Sequence, residues 1–133
     1  MTMTFEARAR ALVGTRFRLQ GRDEGGLDCV GVVVRVFNLR ASAIRKDYRL
    51  RGEFRFELEQ GLLERFRRVG VGQLRSGDVM LMQVAGDQLH LGVRTDRGFV
   101  HADAGIGLVV ETPGYPPWAV LGVYRKRVRT RDS

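Results

Sequence analysis

The sequence contains a single cysteine, Cys29, and only two histidines, His90 and His101. One cysteine excludes an internal disulfide, and it excludes every zinc site that is built from several cysteines. The HExxH pattern of zinc peptidases is absent as well. We therefore expect a chain that uses no metal and no cofactor, and that holds its fold by core packing.

Long apolar runs are also missing, since no stretch approaches the roughly 20 apolar residues that a membrane-spanning helix needs. Near the N-terminus, Arg8 and Arg10 interrupt the apolar residues, whereas an export signal has a continuous apolar run behind its basic residues. We interpret residues 1–12 as an amphipathic first helix. The expectation is a protein without a signal peptide that is made in the cytoplasm.

Aromatic residues are sparse at 8%, and neither an RNA-recognition motif nor a zinc-finger pattern occurs, which argues against sequence-specific nucleic-acid binding. Positive charge is abundant instead, because 23 Lys and Arg face 15 Asp and Glu, a net charge of +8. Such a surface attracts polyanions, although a merely solvated basic face explains the charge equally well. We interpret residues 125–133 as a basic tail on a single domain that covers residues 1–133.

The apolar pattern predicts helices in the first half of the chain and strands in the second, an α+β arrangement. Thr4 is a suitable N-cap for a helix over residues 5–13, and an apolar period of four predicts another helix over residues 53–67. From Val79 onward, short apolar runs separated by turns predict an antiparallel meander. The expected fold is therefore N-terminal helices packed on an antiparallel sheet.

Cys29 lies in an apolar run, residues 27–37, that fits either a buried strand or a buried helix. Asp28 is a good N-cap and favours the helix, although the three consecutive valines at 32–34 favour a strand. A lone cysteine in such a run is most often a small buried hydrophobe. The start of a helix, however, favours a thiolate, and the preceding Gly25 and Gly26 allow a substrate backbone to approach. Both interpretations of Cys29, core residue and nucleophile, stay open at this point.

A nucleophilic thiol needs a base, and His90 and His101 are the candidates. They fall in two predicted strands joined by a turn at residues 95–98. This turn pairs Arg94 with Phe99 and puts both histidines diagonally on one face of the sheet, with about 7–8 Å between their backbones. A three-residue loop would put His101 on the opposite face. Under the first register the chain has a nucleophile, a base and a group that orients the base. Taken singly, each histidine is better interpreted as structural: His90 as a locally hydrogen-bonded strand residue, and His101 as an exposed strand residue or a partner of Asp103.

Several motifs, in a fixed order, resemble the NlpC-type peptidoglycan peptidases, particularly their small phage- and prophage-associated branch. They are GTRFR at residues 14–18, GLDCVGV at 26–32, GDVML at 77–81, HLGV at 90–93 and FVHA at 99–102. The resemblance spans residues 11–124. It implies a papain-like α+β fold and a cysteine peptidase that needs no metal. In that family pattern Cys29 is the nucleophile, His90 the base and His101 the third catalytic residue.

The resemblance also implies a substrate and a place of action. Enzymes of this type hydrolyse an amide in the peptide stems of peptidoglycan, commonly the bond between D-glutamate and diaminopimelate. For the phage-associated branch we expect partners in a phage-like tail particle. We expect action at the cell wall after delivery by such a particle or by lysis.

Three further positions are predicted to line the substrate site. Phe17 stands where the family has a tyrosine whose hydroxyl lies near the nucleophile, and phenylalanine has no hydrogen-bond donor. Gln20 is the candidate donor in its place, and Asp28 either caps the helix or binds the free amine of a stem peptide. The missing hydroxyl leaves an alternative function open: a catalytically weak module of the same fold that binds the wall or builds a phage-like tail. An acyltransferase that uses the same cysteine and histidine is a further alternative.

Overall fold

The computed structural model describes residues 3–23, 25–40 and 51–127 of the 133-residue chain. Its helices are α1 (Phe5–Ala11), α2 (Cys29–Val36) and α3 (Arg55–Leu63), with short 3-10 turns at Gly52–Phe54 and Val71–Gln73. Its strands are β1 (Arg22–Asp23), β2 (Gly26–Leu27), β3 (Phe66–Val69), β4 (Val79–Gln83), β5 (Leu89–Arg94), β6 (Gly98–Asp103), β7 (Leu108–Pro113) and β8 (Ala119–Lys126). No helix within these ranges has the length and apolar character needed to cross a membrane.

The main sheet is antiparallel and has the strand order β3-β8-β4-β5-β6-β7, while β1 and β2 form a small separate ladder. The predicted α+β class is confirmed, and β4 to β7 form the predicted meander. The last strand does not extend this meander, however, because β8 returns across the sheet and lies between β3 and β4. Val123 and Tyr124 of β8 point to opposite faces of the sheet and are fully buried, so both faces are covered at this strand.

The first helix is confirmed over Phe5–Ala11. Its N-cap is Thr4, whose hydroxyl accepts a hydrogen bond from the Ala7 N–H at 3.0 Å. The ring of Phe5 packs on that of Phe37 just after α2, with centroids 4.5 Å apart, and Phe37 meets Phe66 of β3 at 4.9 Å. These aromatic contacts join both helices to the edge of the sheet.

The helix predicted at Cys29 is also confirmed, as α2. Every residue of α2 except Arg35 is buried, and the helix packs on β5, β6 and β1. A helix that is enclosed on all sides is apolar on every face, so the consecutive valines pack in the core here. This burial outweighs the preference of valine for strands. The Asp28 cap fixes where this buried helix begins.

The helix predicted over residues 53–67 is wrong at both ends. Residues 52–54 form a 3-10 turn, α3 covers only Arg55–Leu63, and Phe66 begins the edge strand β3. Leu58, Leu62 and Phe66 are all fully buried, so the apolar period is real. The chain turns after Leu63, and Phe66 still packs in the same core. An apolar period of four therefore cannot distinguish this arrangement from a longer helix.

The basic tail predicted for residues 125–133 is wrong for its first two residues. Arg125 and Lys126 belong to β8, where they pair with β3, and the Arg125 guanidinium contacts the carboxylate of Asp78 at 2.8 Å. Residues 128–133 lie outside the described residues, as do residues 41–50.

The start of α2 lies so close to the loop before β1 that position 31 has no room for a side chain. A Cβ built on Gly31 would lie 2.1 Å from the Gly21 carbonyl oxygen. We predict that Gly31→Ala destabilises the protein by about 1–3 kcal/mol, the typical cost of overpacking. Gly61→Ala is the matched control, because a Cβ there meets nothing within 4 Å in α3. It should stabilise by about 0.8–1 kcal/mol through helix propensity. Urea unfolding measures both, and equal effects of the two substitutions would contradict the prediction.

Candidate active site

A cleft of about 840 Å³ opens where the N-terminus of α2 meets the β4–β5 turn and the middle of β6. Its walls contain every residue that the sequence assigned to a site: Phe17, Gln20, Asp28, Cys29, His90 and His101. The described ranges hold no group of three or more His, Cys, Asp or Glu side chains placed to bind a metal ion. The cleft therefore offers one thiol, two imidazoles and a buried carboxylate for chemistry.

Cys29 is the first residue of α2 and lies at the floor of the cleft, with 3% of its surface exposed. The thiol lies near strand β5, because the backbone of Leu91, the residue after His90, acts to lower the pKa of the thiol. As a residue of the first helical turn, Cys29 also has a backbone N–H that no carbonyl of the helix can satisfy.

The helix start was expected to favour a thiolate, but burial of the thiol opposes this. Burial, followed by the charge of Asp28, raises the pKa of Cys29 to about 12, although the Leu91 backbone and the Arg22 charge act in the opposite direction. A rise from 9.0 to about 12 disfavours the thiolate by about 4 kcal/mol. A helix dipole contributes only about 0.3–1 kcal/mol. Cys29 is thus a neutral thiol before substrate binds.

The two histidines meet as predicted. Strands β5 and β6 pair Arg94 with Phe99, the register expected from the turn, and His90 Nε2 lies 2.8 Å from His101 Nδ1. The far nitrogen of His101, Nε2, lies 2.8 Å from the hydroxyl of Thr112 on β7. The described part of the chain gives His90 Nδ1 no hydrogen-bond partner, so this nitrogen is available to a thiol proton.

Both imidazoles are neutral at pH 7. Burial, and then the nearby His101, lowers the pKa of His90 to about 4. Burial also lowers the pKa of His101, against the opposing charge of Asp103. Low solvent access disfavours the charged form of each group, so neither imidazole carries a charge at rest.

Aromatic rings enclose the two imidazoles. Phe99 stacks on His101, with centroids 4.6 Å apart, and Trp118 stands edge-on to His90 and His101, at 5.9 Å from each. Gly92, which follows His90 on the same face of β5, makes this packing possible, because a Cβ there would lie 3.1 Å from the Phe99 ring. The rings cover part of each imidazole and restrict how far it can rotate.

The Asp28 carboxylate caps α2, which confirms one of its two predicted roles. Its Oδ1 accepts hydrogen bonds from the Gly31 N–H at 2.8 Å and from the Arg22 guanidinium at 2.7 Å. Its Oδ2 accepts from the Gln20 N–H at 2.9 Å. Both oxygens and the charge are therefore engaged within the protein.

The remaining two predicted residues lie on the wall of the cleft next to Asp28. Phe17 is half-buried, and its backbone N–H donates to the Gly107 carbonyl at 2.9 Å. Since its ring has no donor either, Phe17 offers no hydrogen bond to a substrate. Gln20 has a left-handed backbone with φ of 59°, and its backbone N–H donates a hydrogen bond to the Asp28 carboxylate. Any donor that Gln20 provides to a substrate must therefore come from its side-chain amide.

Three residues that build the site were not predicted: Arg22, Thr112 and Trp118. Arg22 reaches Asp28 only because β1 and β2 fold back on each other, and Thr112 reaches His101 only through the β6–β7 pairing. Trp118 is the single tryptophan of the chain and follows two prolines. Its rarity was the one available signal, and it carries no information about which residues it contacts.

Comparison with known proteins identifies the family of the chain. A model of the NlpC/P60 family matches residues 14–121 of the chain. The murein DD-endopeptidase MepS/murein LD-carboxypeptidase of Escherichia coli K12 is 29% identical over 123 residues, which cover 90% of this chain and 58% of that protein. The chain thus spans less than two thirds of the length of this relative.

Solved structures agree in fold. NlpC1 from Trichomonas vaginalis superposes with a TM-score of 0.67 at 14% identity, over 94% of this chain and 44% of that one. The NlpC/p60 domain of the peptidoglycan hydrolase SagA superposes with a TM-score of 0.58 at 17% identity, over 94% of this chain and 97% of that one. Because the family match covers most of the sequence and includes the thiol and both imidazoles, we conclude that the chain belongs to the NlpC/P60 family.

Proposed function

We propose that the chain is a cysteine peptidase that hydrolyses an amide bond in the peptide stems of peptidoglycan. In this proposal Cys29 is the nucleophile, His90 its base and His101 the residue that orients the base. The observation that carries the proposal is a lone thiol at a helix N-terminus that shares one cleft with a hydrogen-bonded pair of imidazoles. The names of the relatives, a murein endopeptidase and a peptidoglycan hydrolase, support the substrate class.

The reaction proceeds by acyl transfer. Cys29 Sγ attacks the scissile carbonyl carbon while its proton passes to His90 Nδ1, and the carbonyl electrons move to oxygen. When this oxyanion collapses, the C–N bond breaks and the imidazolium gives its proton to the leaving amine. The acyl group remains on Cys29 as a thioester. Water, activated by neutral His90, then hydrolyses the thioester to a carboxylate and the free thiol.

The thiol and the imidazole acquire charge only as the bond is attacked, because both are neutral beforehand. The oxyanion then needs donors. The unsatisfied Cys29 N–H is one of them. Phe17 supplies none, so the side-chain amide of Gln20, which lines the same cleft, is the second donor in this proposal.

The bond to be cleaved lies within the stem peptide. The family resemblance favours the amide between D-glutamate and diaminopimelate, whereas the name of MepS gives a DD-endopeptidase and an LD-carboxypeptidase. The engaged carboxylate of Asp28 supports a substrate that needs no free amine at this position. Digestion of defined muropeptides that contain each bond distinguishes these substrates.

Action at the cell wall belongs to the same proposal. A net charge of +8 favours association with anionic wall polymers. Delivery by a phage-like tail particle or by lysis remains the proposed route, with tail proteins as the proposed partners.

Removal of the nucleophile tests the activity directly. We predict that Cys29→Ala lowers kcat on purified peptidoglycan by a factor on the order of 10⁶, to background, because no other thiol can form the acyl-enzyme. Mass spectrometry of the released muropeptides measures this loss. Phe56→Ala is the control, since Phe56 lies on α3 with 69% of its surface exposed and should leave cleavage unchanged. Cleavage that survives Cys29→Ala would exclude the mechanism.

The pH dependence tests the charge state of the free enzyme. We predict that kcat/KM rises near pH 4 as His90 loses its proton, well below the 6.5 of a free imidazole. We predict no fall before about pH 10, because kcat/KM reports the free enzyme and the pKa of the Cys29 thiol lies near 12. Circular dichroism at each pH separates unfolding from titration. A fall centred between pH 8 and 9, the range of about 8.5 for an ordinary thiol, would contradict a neutral buried pair.

The second candidate function is a wall-binding or tail-building module with weak catalysis, and Phe17 is the observation that favours it. If the missing hydroxyl limits the rate, Phe17→Tyr should raise kcat by up to about 10²–10³, the worth of one oxyanion donor. Muropeptide binding and cleavage are measured together. Wild-type binding without cleavage, with cleavage gained by Phe17→Tyr, supports the binding module. Efficient wild-type cleavage that Phe17→Tyr leaves unchanged excludes it.

A further inference from the structure

The hydrogen bonds of the two imidazoles continue past His101 to a hydroxyl that no sequence motif includes. His90 Nε2 lies 2.8 Å from His101 Nδ1, and His101 Nε2 lies 2.8 Å from Thr112 Oγ1. The three side chains thus form one linear chain of hydrogen bonds that leads away from the cleft.

Only one set of proton positions in this chain lets His90 act as a base toward Cys29. His90 Nδ1 must carry a lone pair, so the proton of the neutral ring must sit on Nε2 and be donated to His101 Nδ1. His101 must then carry its own proton on Nε2 and donate it to Thr112 Oγ1. The opposite set begins with the Thr112 hydroxyl donating to His101, and it ends with a proton on His90 Nδ1 that blocks acceptance.

We propose that Thr112 is a positioning residue whose hydroxyl accepts the Nε2–H of His101 and thereby holds both histidines in the tautomer in which His90 presents an unprotonated Nδ1 to Cys29. This inference rests on the proposed function, because it assigns Thr112 a task within that reaction. Thr112 acts through His101 and contacts neither the thiol nor the substrate carbonyl in this proposal.

The packing around Thr112 makes its hydroxyl a fixed partner. Thr112 pairs with Phe99, and His101 pairs with Val110, so the hydroxyl and the imidazole lie diagonally on one face of the β6–β7 pair. Phe99 stacks on His101 with an angle of 28° between the ring planes, which holds the imidazole in line with the hydroxyl. His101 is 2% exposed, so water cannot readily replace this partner.

Thr112→Val removes the hydroxyl and keeps the branched shape of a strand residue, while Thr112→Ser keeps the hydroxyl. Thr95→Val is the matched control, because the buried Thr95 hydroxyl bonds to Glu111 at 2.6 Å rather than to an imidazole. We expect Thr112→Val to lower kcat about 10- to 100-fold, as loss of an orienting partner does elsewhere, with KM unchanged. Thr112→Ser should recover most of kcat, and Thr95→Val should affect stability alone.

Nitrogen-15 NMR of the imidazoles reads the tautomers without any substrate, and the chain has only two histidines to assign. In the wild type at pH 7 we expect both rings to carry the proton on Nε2. In Thr112→Val we expect both rings to shift toward the Nδ1–H tautomer.

Failure of this inference is distinct from failure of the proposed function. If Cys29→Ala abolishes cleavage while Thr112→Val keeps the kcat and tautomers of the wild type, the role of Thr112 is overturned and the peptidase stands. An Nδ1–H proton on either ring of the wild type overturns it as well. A wild type that cleaves no stem peptide overturns the proposed function and the kinetic role of Thr112 with it.

Discussion

The geometry of the cleft depends on the carboxylate of Asp28. It accepts hydrogen bonds from Gly31 in the first turn of α2, from the backbone of Gln20 and from the guanidinium of Arg22. These donors belong to a helix, a loop and strand β1, so one side chain fixes the start of the helix against two segments that precede it. Because Cys29 directly follows Asp28, the same contacts fix the sulfur at the floor of the cleft. Loss of one partner from such a buried ion pair typically costs about 3–5 kcal/mol, which is enough to move a helix end.

Burial, rather than the helix dipole, sets the charge state of the resting site. It raises the pKa of Cys29 and lowers that of His90, so both groups are neutral over the physiological range. A neutral pair costs less to bury than a charged one, so the resting protein need not stabilise a thiolate. In the proposed reaction, charge on these two groups develops only when the peptide is attacked. Phe99 and Trp118 contribute by enclosing the imidazoles.

Local chemistry in the sequence was sufficient to predict the helix at Cys29 and the meeting of His90 with His101. An N-cap acts on its own first turn, and a turn of defined length sets the register of its two strands. What the sequence could not supply depends on distant segments that fold together. The partners Arg22 and Thr112, the insertion of β8 and the end of α3 all follow from tertiary contacts. The sequence also suggested a thiolate at Cys29 and did not show the burial that opposes it, since burial is a property of the whole fold.

The central claim is that the Cys29 sulfur attacks a carbonyl carbon while His90 handles the proton. A crystal structure of the protein with a stem-peptide aldehyde tests it most directly, because a thiol adds to an aldehyde without a leaving group and the adduct stays in place. We predict continuous density from Sγ to the former aldehyde carbon, with His90 Nδ1 within hydrogen-bond reach of the adduct and Nε2 still bonded to His101. An unmodified sulfur, or an adduct that neither imidazole approaches, would contradict the claim.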